Sequence, residues 1–461
     1  MSRKPKSTQP ELGELPLIHP HAAGLDIGLA EIWVAVPAGS DREPVRAFPT
    51  YTPDLIALGD WLTACGVRSV AMESTGVYWI PIYELLEARG FEVYLVNARH
   101  LKGVPGRKSD VQDCQWIQRL HSYGLLSASF RPEAEMVVLR AYLRQRASLI
   151  EHRAAHIQHM QKALAQMNVQ LTQVLSDITG ETGMQIIRAI VSGVTDPVTL
   201  AQFRDPRCKH SQEQIAKALT GNYRAEHLFA LKQTLSLYDA YTAQIAACDV
   251  VLEQQFSALK PSHDQGELPP LDTSDKRDSH SKNAPNYDAR LLLYEKLGVD
   301  LVALRGMNAS TVQTILTEVG ISLERFADVK HFCSWLHLAP HQAISGGKVL
   351  HTHVLQGANR AGQAFRLAAQ SLWRSQCEFG AYLRRMRARK GPEQAIVATA
   401  HKLARAFYYM LKERRPYRGE TAAQSEARAR DREIARLTAK AKKLGLELVQ
   451  PAAQPAAGGS F

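Results

Sequence analysis

The chain has 461 residues, a mass of 51.2 kDa and a formal charge of +11, with 45% hydrophobic and 22% charged residues. That is long enough for two to four domains and too apolar for general disorder. Six cysteines lacking C-x-x-C spacing argue against a zinc ribbon or a disulfide framework, and the absence of an 18-residue apolar run argues against a membrane span.

The start is polar and Pro-containing, with no apolar segment behind its basic residues. Residues 1–20 are therefore expected to form a disordered arm without a secretory signal. GLDIGLAEIWVAV, 24–36, reads as strand, turn and strand. PDLIALGDWLTAC, 53–65, has helical spacing with Pro53 at its start. Short strands are predicted at 69–72 and 91–98, with a helix between them from Pro81 to Gly90. A basic loop, RHLKGVPGRK, precedes a helix capped by Ser109. Alternating strands and helices make 21–130 an α/β domain.

Apolar residues then recur in steps of three and four from Met136 to Ile178, interrupted by Arg146 and Arg153. This seam predicts either a coiled coil between chains or an antiparallel helical hairpin within one. Helical pattern continues to 259, broken at Pro197 and Pro206. Residues 260–289 are polar and Pro-containing and read as a disordered linker. Residues 290–415 form a second, mainly helical unit with a turn-rich loop or hairpin at 339–356. A charged helix over roughly 421–445 and a disordered end complete the 416–461 tail.

Charge divides these units. Residues 20–130 hold nine Lys/Arg against twelve Asp/Glu, whereas 290–418 hold twenty against eight, a net +12. A polyanion partner is expected at the second unit. In the acidic unit, Asp26 and Glu73 end strands, and Asp110 and Asp113 share one face of a helix start. Any one of these alone reads more readily as a cap or turn residue. As an ordered set they form an all-oxygen site suited to Mg²⁺. In the basic unit, Ser345 lies in AISGGKV, a loop open to a phosphodiester, with Lys348, Arg360 and Arg366 nearby to balance phosphate charge. His351 and His353 have strand spacing that suits phosphate or base contact. YLRRMRARKG, with Arg384 and Arg385, and ARAFYYMLKERRPYR interleave cations and aromatics, as nucleic-acid surfaces do; the alternative is a solvated helix face. Lys108, in the basic loop, joins the candidate contacts.

LDIG, MESTG and KSD-x-x-D resemble the N-terminal domain of the IS-one-ten type insertion-sequence transposases. LVALRGMNASTVQTILTEVG resembles that family's helix-hairpin-helix-like segment. WLHLAPHQAISGGKVL with GANRAGQAFRLAAQSL is similar to its C-terminal transposase domain. The resemblance covers roughly 20–130 and 295–412. It implies a RuvC-like ribonuclease H fold followed by an all-α remainder. It also implies a DEDD site at Asp26, Glu73, Asp110 and Asp113 with Mg²⁺, and Ser345 as a nucleophile that becomes linked to DNA. Expected partners are the DNA of element ends and target, a bridge RNA, and further copies of the chain as a dimer or tetramer. The expected location is the cytoplasm, at the nucleoid. A Mg²⁺-dependent junction endonuclease without a covalent intermediate is the rival enzyme. A nucleic-acid-binding protein without catalysis is the other alternative.

Overall fold

The computed structural model describes residues 16–74, 76–97, 109–261, 267–271, 282–354 and 359–449, with backbone alone at 352 and 353. Lys108 and its basic loop, most of the N-terminal arm, the His353 side chain and the last twelve residues lie outside the described set. The chain divides into two compact units, 1–131 and 132–461.

The first unit is built on a five-stranded sheet. Strands β1 (Ala22–Ile27), β2 (Glu31–Ala35) and β3 (Val45–Pro49) form an antiparallel meander. Helix α1 (Thr52–Ala64) leads to β4 (Ser69–Glu73), and α2 (Trp79–Ala88) leads to β5 (Glu92–Val96). Both β4 and β5 run parallel to β1, giving the order β3-β2-β1-β4-β5. Period-2 alternation sorts the side chains. Leu25, Ile27, Val70 and Met72 bury one face against Leu58 and Leu62 of α1 and Ile82 and Leu86 of α2. Ala71 and Val96 point to the other face, covered by Ile117 of α3 (Asp110–Ser122). Ser109 caps α3, its hydroxyl accepting from the Gln112 N–H. Strand β3 has no counterpart in the sequence reading. It is a half-exposed edge strand ending in proline, with no continuous apolar run to announce it.

In the second unit, α4 (Ala134–Gln166) and a later helix of similar length lie antiparallel. Between them come α5 (Leu171–Val174), α6 (Glu181–Val191), α7 (Pro197–Ala201) and α8 (Gln212–Leu219), followed by α9 (Ala225–Ala258). Pairings of Arg146 with Asp249, Arg153 with Thr242 and His156 with Tyr241 fix the antiparallel sense. Of the two readings of the seam, the chain takes the hairpin. The seam does not continue unbroken to Ile178: α4 stops at Gln166, and Asn168 turns the chain with φ 53°. Leu171 and Ile178 instead join Met160, Leu164, Ile186 and Ile215 in a separate core at that end of the hairpin.

The two arginines that interrupt the seam are its polar centre. Arg146 donates to both Asp249 oxygens, at 2.6 and 3.2 Å, and both residues are buried. It also donates to the carbonyls of Asn283 and Ala284, while Arg153 donates to Asn283 Oδ1 at 2.8 Å. The end of the expected linker is therefore ordered. Residues 283–286 complete a buried polar network that no apolar pattern encodes.

Past this strap, α10 (Ala289–Leu297), α11 (Ala309–Val319) and α12 (Val329–Trp335) lead to a hairpin of β6 (Pro340–Ser345) and β7 (Lys348–Val354). Helices α13 (Arg360–Ser371), α14 (Glu378–Lys390), α15 (Pro392–Glu413) and α16 (Ala422–Lys443) follow. Phe365 meets Phe407 edge-on and Phe332 packs on Tyr408, making an aromatic centre that is fully buried.

Replacing Asp249 by Ala strands the Arg146 charge in the hairpin. The expected cost is about 3–5 kcal/mol in the second unit, read by calorimetry. Pairing Asp249→Leu with Arg146→Met should restore most of it. A loss below about 1 kcal/mol for Asp249→Ala would show that the carbonyls alone satisfy the guanidinium.

Candidate active site

The geometry of the acidic site starts from a residue with no side chain. Gly24 lies in β1 on the face toward α3, two residues before Asp26. A Cβ there would stand 2.2 Å from the Gln118 nitrogen and 2.4 Å from the Cys114 carbonyl oxygen. The backbone of α3 can lie against β1 only because that carbon is missing. The first turn of α3 carries Asp110 and Asp113, just before Cys114.

Asp26 and Glu73 directly follow Leu25 and Met72, which are register partners on neighbouring parallel strands. Both carboxylates therefore project from the α3 side of the sheet, where the strands end. Burial pushes the Asp26 carboxyl up, and the charges of Asp110, Asp113 and Glu73 push it further, to about 6. Only the N–H of Ile27 opposes this. The Cys114 thiol is likewise pushed up to about 12 by burial and by the Asp26 charge. Glu73, Asp110 and Asp113 are thus near enough to act electrostatically on Asp26. Among the described residues, no three His, Cys, Asp or Glu side chains are already grouped as an ion cage. Carboxylate oxygens are nevertheless the donor type that a hard divalent ion takes.

The second unit holds the remaining candidates. Gly346 and Gly347, with φ 54° and 75°, form the two-residue turn between β6 and β7. Ser345 and Lys348 flank this turn as register partners, both exposed. Arg360 is exposed at the first turn of α13. Arg366 is engaged structurally, half-buried and donating to the His337 carbonyl at 2.8 Å. Arg384 is engaged too, its Nη1 donating to the Ser375 and Trp373 carbonyls. Arg385 stays exposed beside the Tyr382 ring.

A groove of about 1300 Å³ runs past Tyr382, His401, Lys402, Arg405, Tyr409 and Tyr417. The Lys402 ammonium sits 4.0 Å from the centre of the Tyr382 ring. Burial pushes Lys402 and His401 below their usual values. The two Arg/Tyr segments singled out in the sequence thus share one basic, aromatic groove. Lys402 and His401 were missed because they lie outside the arginine clusters.

Gly24→Ala must displace α3. Folding stability should fall by about 1–3 kcal/mol, and Asp26, followed by carboxyl NMR, should titrate nearer the ordinary carboxylate range. An unmoved Asp26 titration would show that helix approach does not cause the crowding. A second prediction concerns pH in the metal-free protein. Folded Asp26 holds its proton up to about pH 6, against 3.8 for the ordinary group. Stability should therefore fall as pH rises from about 4 to 6 and then level off. Denaturation in EDTA should show a shallower fall for Asp26→Asn; equal profiles would contradict the shift.

Two family models match the chain. One, of the DEDD type of IS110 transposase and described as "Transposase", covers residues 23–169. The other, "Transposase IS116/IS110/IS902 family", covers residues 301–384. No curated relative matches at a significant level. Among the described residues, no helix is long and apolar enough to cross a membrane. The first match spans the acid-bearing sheet and the second spans the serine hairpin, in the order expected of a DNA-cutting recombinase. The chain therefore belongs to the IS110-type insertion-sequence transposases.

Proposed function

We propose that the protein cuts and rejoins DNA strands at the ends of an insertion sequence and at its target, through a covalent serine–DNA intermediate. The observation that carries this reading is the convergence of Glu73, Asp110 and Asp113 on Asp26, which leaves Asp26 with a carboxyl raised to about 6. Such crowding costs folding energy and is offset when a cation binds among the acids. Asp26, Glu73, Asp110 and Asp113 would hold Mg²⁺ in a RuvC-like arrangement. A bound divalent ion supplies Lewis acidity to a phosphoryl oxygen and neutralises charge gathering at phosphorus.

Ser345 supplies the nucleophile. Its Oγ–P bond forms as the P–O bond to the departing deoxyribose breaks, and the hydroxyl proton passes to the departing oxygen. The serine ester keeps the phosphodiester bond energy, so an incoming deoxyribose hydroxyl can displace Ser345 and complete exchange. The diglycine turn puts no side chain on the turn side of the serine, and Lys348 across it balances phosphate charge. The groove at Tyr382, Lys402 and Tyr409 suits unstacked bases and their backbone. A bridge RNA transcribed from the element's own flank is the guide in this reading. Two DNA partners bring four strands, so the working form is an oligomer of this chain.

Ser345→Ala should abolish protein–DNA adducts trapped under denaturing conditions while nucleic-acid binding stays within about three-fold. Asp26→Asn should lower divalent-dependent cleavage by at least about 100-fold. Cleavage that persists in Ser345→Ala, with no adduct in the parent protein, would assign the chain to the junction endonucleases. Sequencing of co-purified RNA should return the flank of the chain's own coding region.

A further inference from the structure

The hairpin that presents Ser345 is apolar where a solvated turn would be polar. Ile344, Val349 and Leu350 are 61%, 51% and 66% exposed. Ile344 and Val349 are register partners immediately behind the Ser345–Lys348 pair, so two branched side chains stand side by side on one face. The register jumps from Ala343–His351 to Ile344–Val349, leaving Leu350 as the extra residue of a bulge. A bulge breaks the alternation and re-aims side chains near a strand end. Among the described residues the hairpin pairs with no third strand. Apolar side chains on a two-stranded ribbon gain burial only against something outside it.

We propose that Ile344, Val349 and Leu350 form a wedge that enters the DNA base stack beside the phosphate attacked by Ser345. This deepens the reading of Ser345 as nucleophile and rests on it. Charge selects the occupant. From Val329 to Cys377 the chain has no Asp or Glu but five Lys/Arg, with Lys348 directly at the tip. A two-stranded ribbon has the width of a DNA groove, and apolar side chains between base steps kink a duplex at the cost of unstacking. Kinking there would expose the phosphate at the opened step, in front of the one hydroxyl the ribbon carries at its turn. Lys348 would steady that phosphate from across the turn.

The test uses the full chain with any RNA it retains. The probe is a duplex of the sequence flanking its coding region, with 2-aminopurine placed at successive steps. In the Ser345→Ala background, where no ester forms, fluorescence should rise at least three-fold at one step. Adding I344S and V349S should remove that rise, with near-UV circular dichroism unchanged because both sites are exposed. With Ser345 intact, the I344S/V349S variant should form adducts at least ten-fold more slowly on paired duplex. On duplex already mismatched at that step the loss should be under three-fold. No fluorescence rise, or equal losses on both duplexes, would overturn the wedge. A lower oligomer mass for I344S/V349S in light scattering would overturn it too, giving the ribbon to a contact between copies. Adducts persisting in Ser345→Ala would sink the nucleophile while leaving the fluorescence result to be read by itself.

Discussion

The acidic site depends on the close approach of α3 to β1, which the missing Cβ at Gly24 permits. Strand ends alone would place Asp26 and Glu73 side by side. They would not bring in a third and fourth carboxylate from a helix. Because the Cys114 and Gln118 backbone lies against Gly24, the first turn of α3 stands over the end of β1. One atom's absence thus lets the helix that carries Asp110 and Asp113 lie against the strand that carries Asp26. Ser109 aids this by fixing where α3 begins, so that Asp110 and Asp113 fall in its first turn.

That arrangement is locally unfavourable and functionally sensible. Acids in the first turn of a helix gain from its dipole, yet here they also raise the proton affinity of a half-buried aspartate. A site that only needed a cap would use one acid. Three further acids near Asp26 instead raise its carboxyl above the ordinary range. The surrounding core keeps the crowded groups in place. Leu25 and Met72, the neighbours of Asp26 and Glu73, are fully buried on the opposite face, so neither strand can turn its carboxylate away without exposing them.

Much of this was legible in the residues, and the failures have physical causes. Asp26, Glu73 and the Asp110–Asp113 pair could be read because strand ends and helix starts have local signals. Strand β3 could not, since an edge strand needs only one half-buried face. The seam from Met136 was legible as a seam. Whether its partner lay in the same chain depended on Asp249 and Asn283, 103 and 137 residues from Arg146 in sequence. Composition marked 260–289 as linker because anchoring through two backbone carbonyls and one Asn side chain leaves no apolar signature. Gly24 carried a usable signal, a glycine inside a strand, which marks close backbone approach.

The arginines of the second unit show why charge counts locate a surface more readily than a contact. Arg366 and Arg384 spend their donors on carbonyls at the ends of neighbouring segments, and Arg146 spends its own inside the helical hairpin. A guanidinium has five donors in a fixed fork, which suits closing off chain ends as well as holding phosphate. The net +12 of residues 290–418 therefore overstates the cations open to a polyanion. Lys348, Arg360 and Arg385 remain exposed, at the hairpin turn, at a helix start and beside the aromatic groove. The engaged arginines instead tie neighbouring segments together through backbone carbonyls.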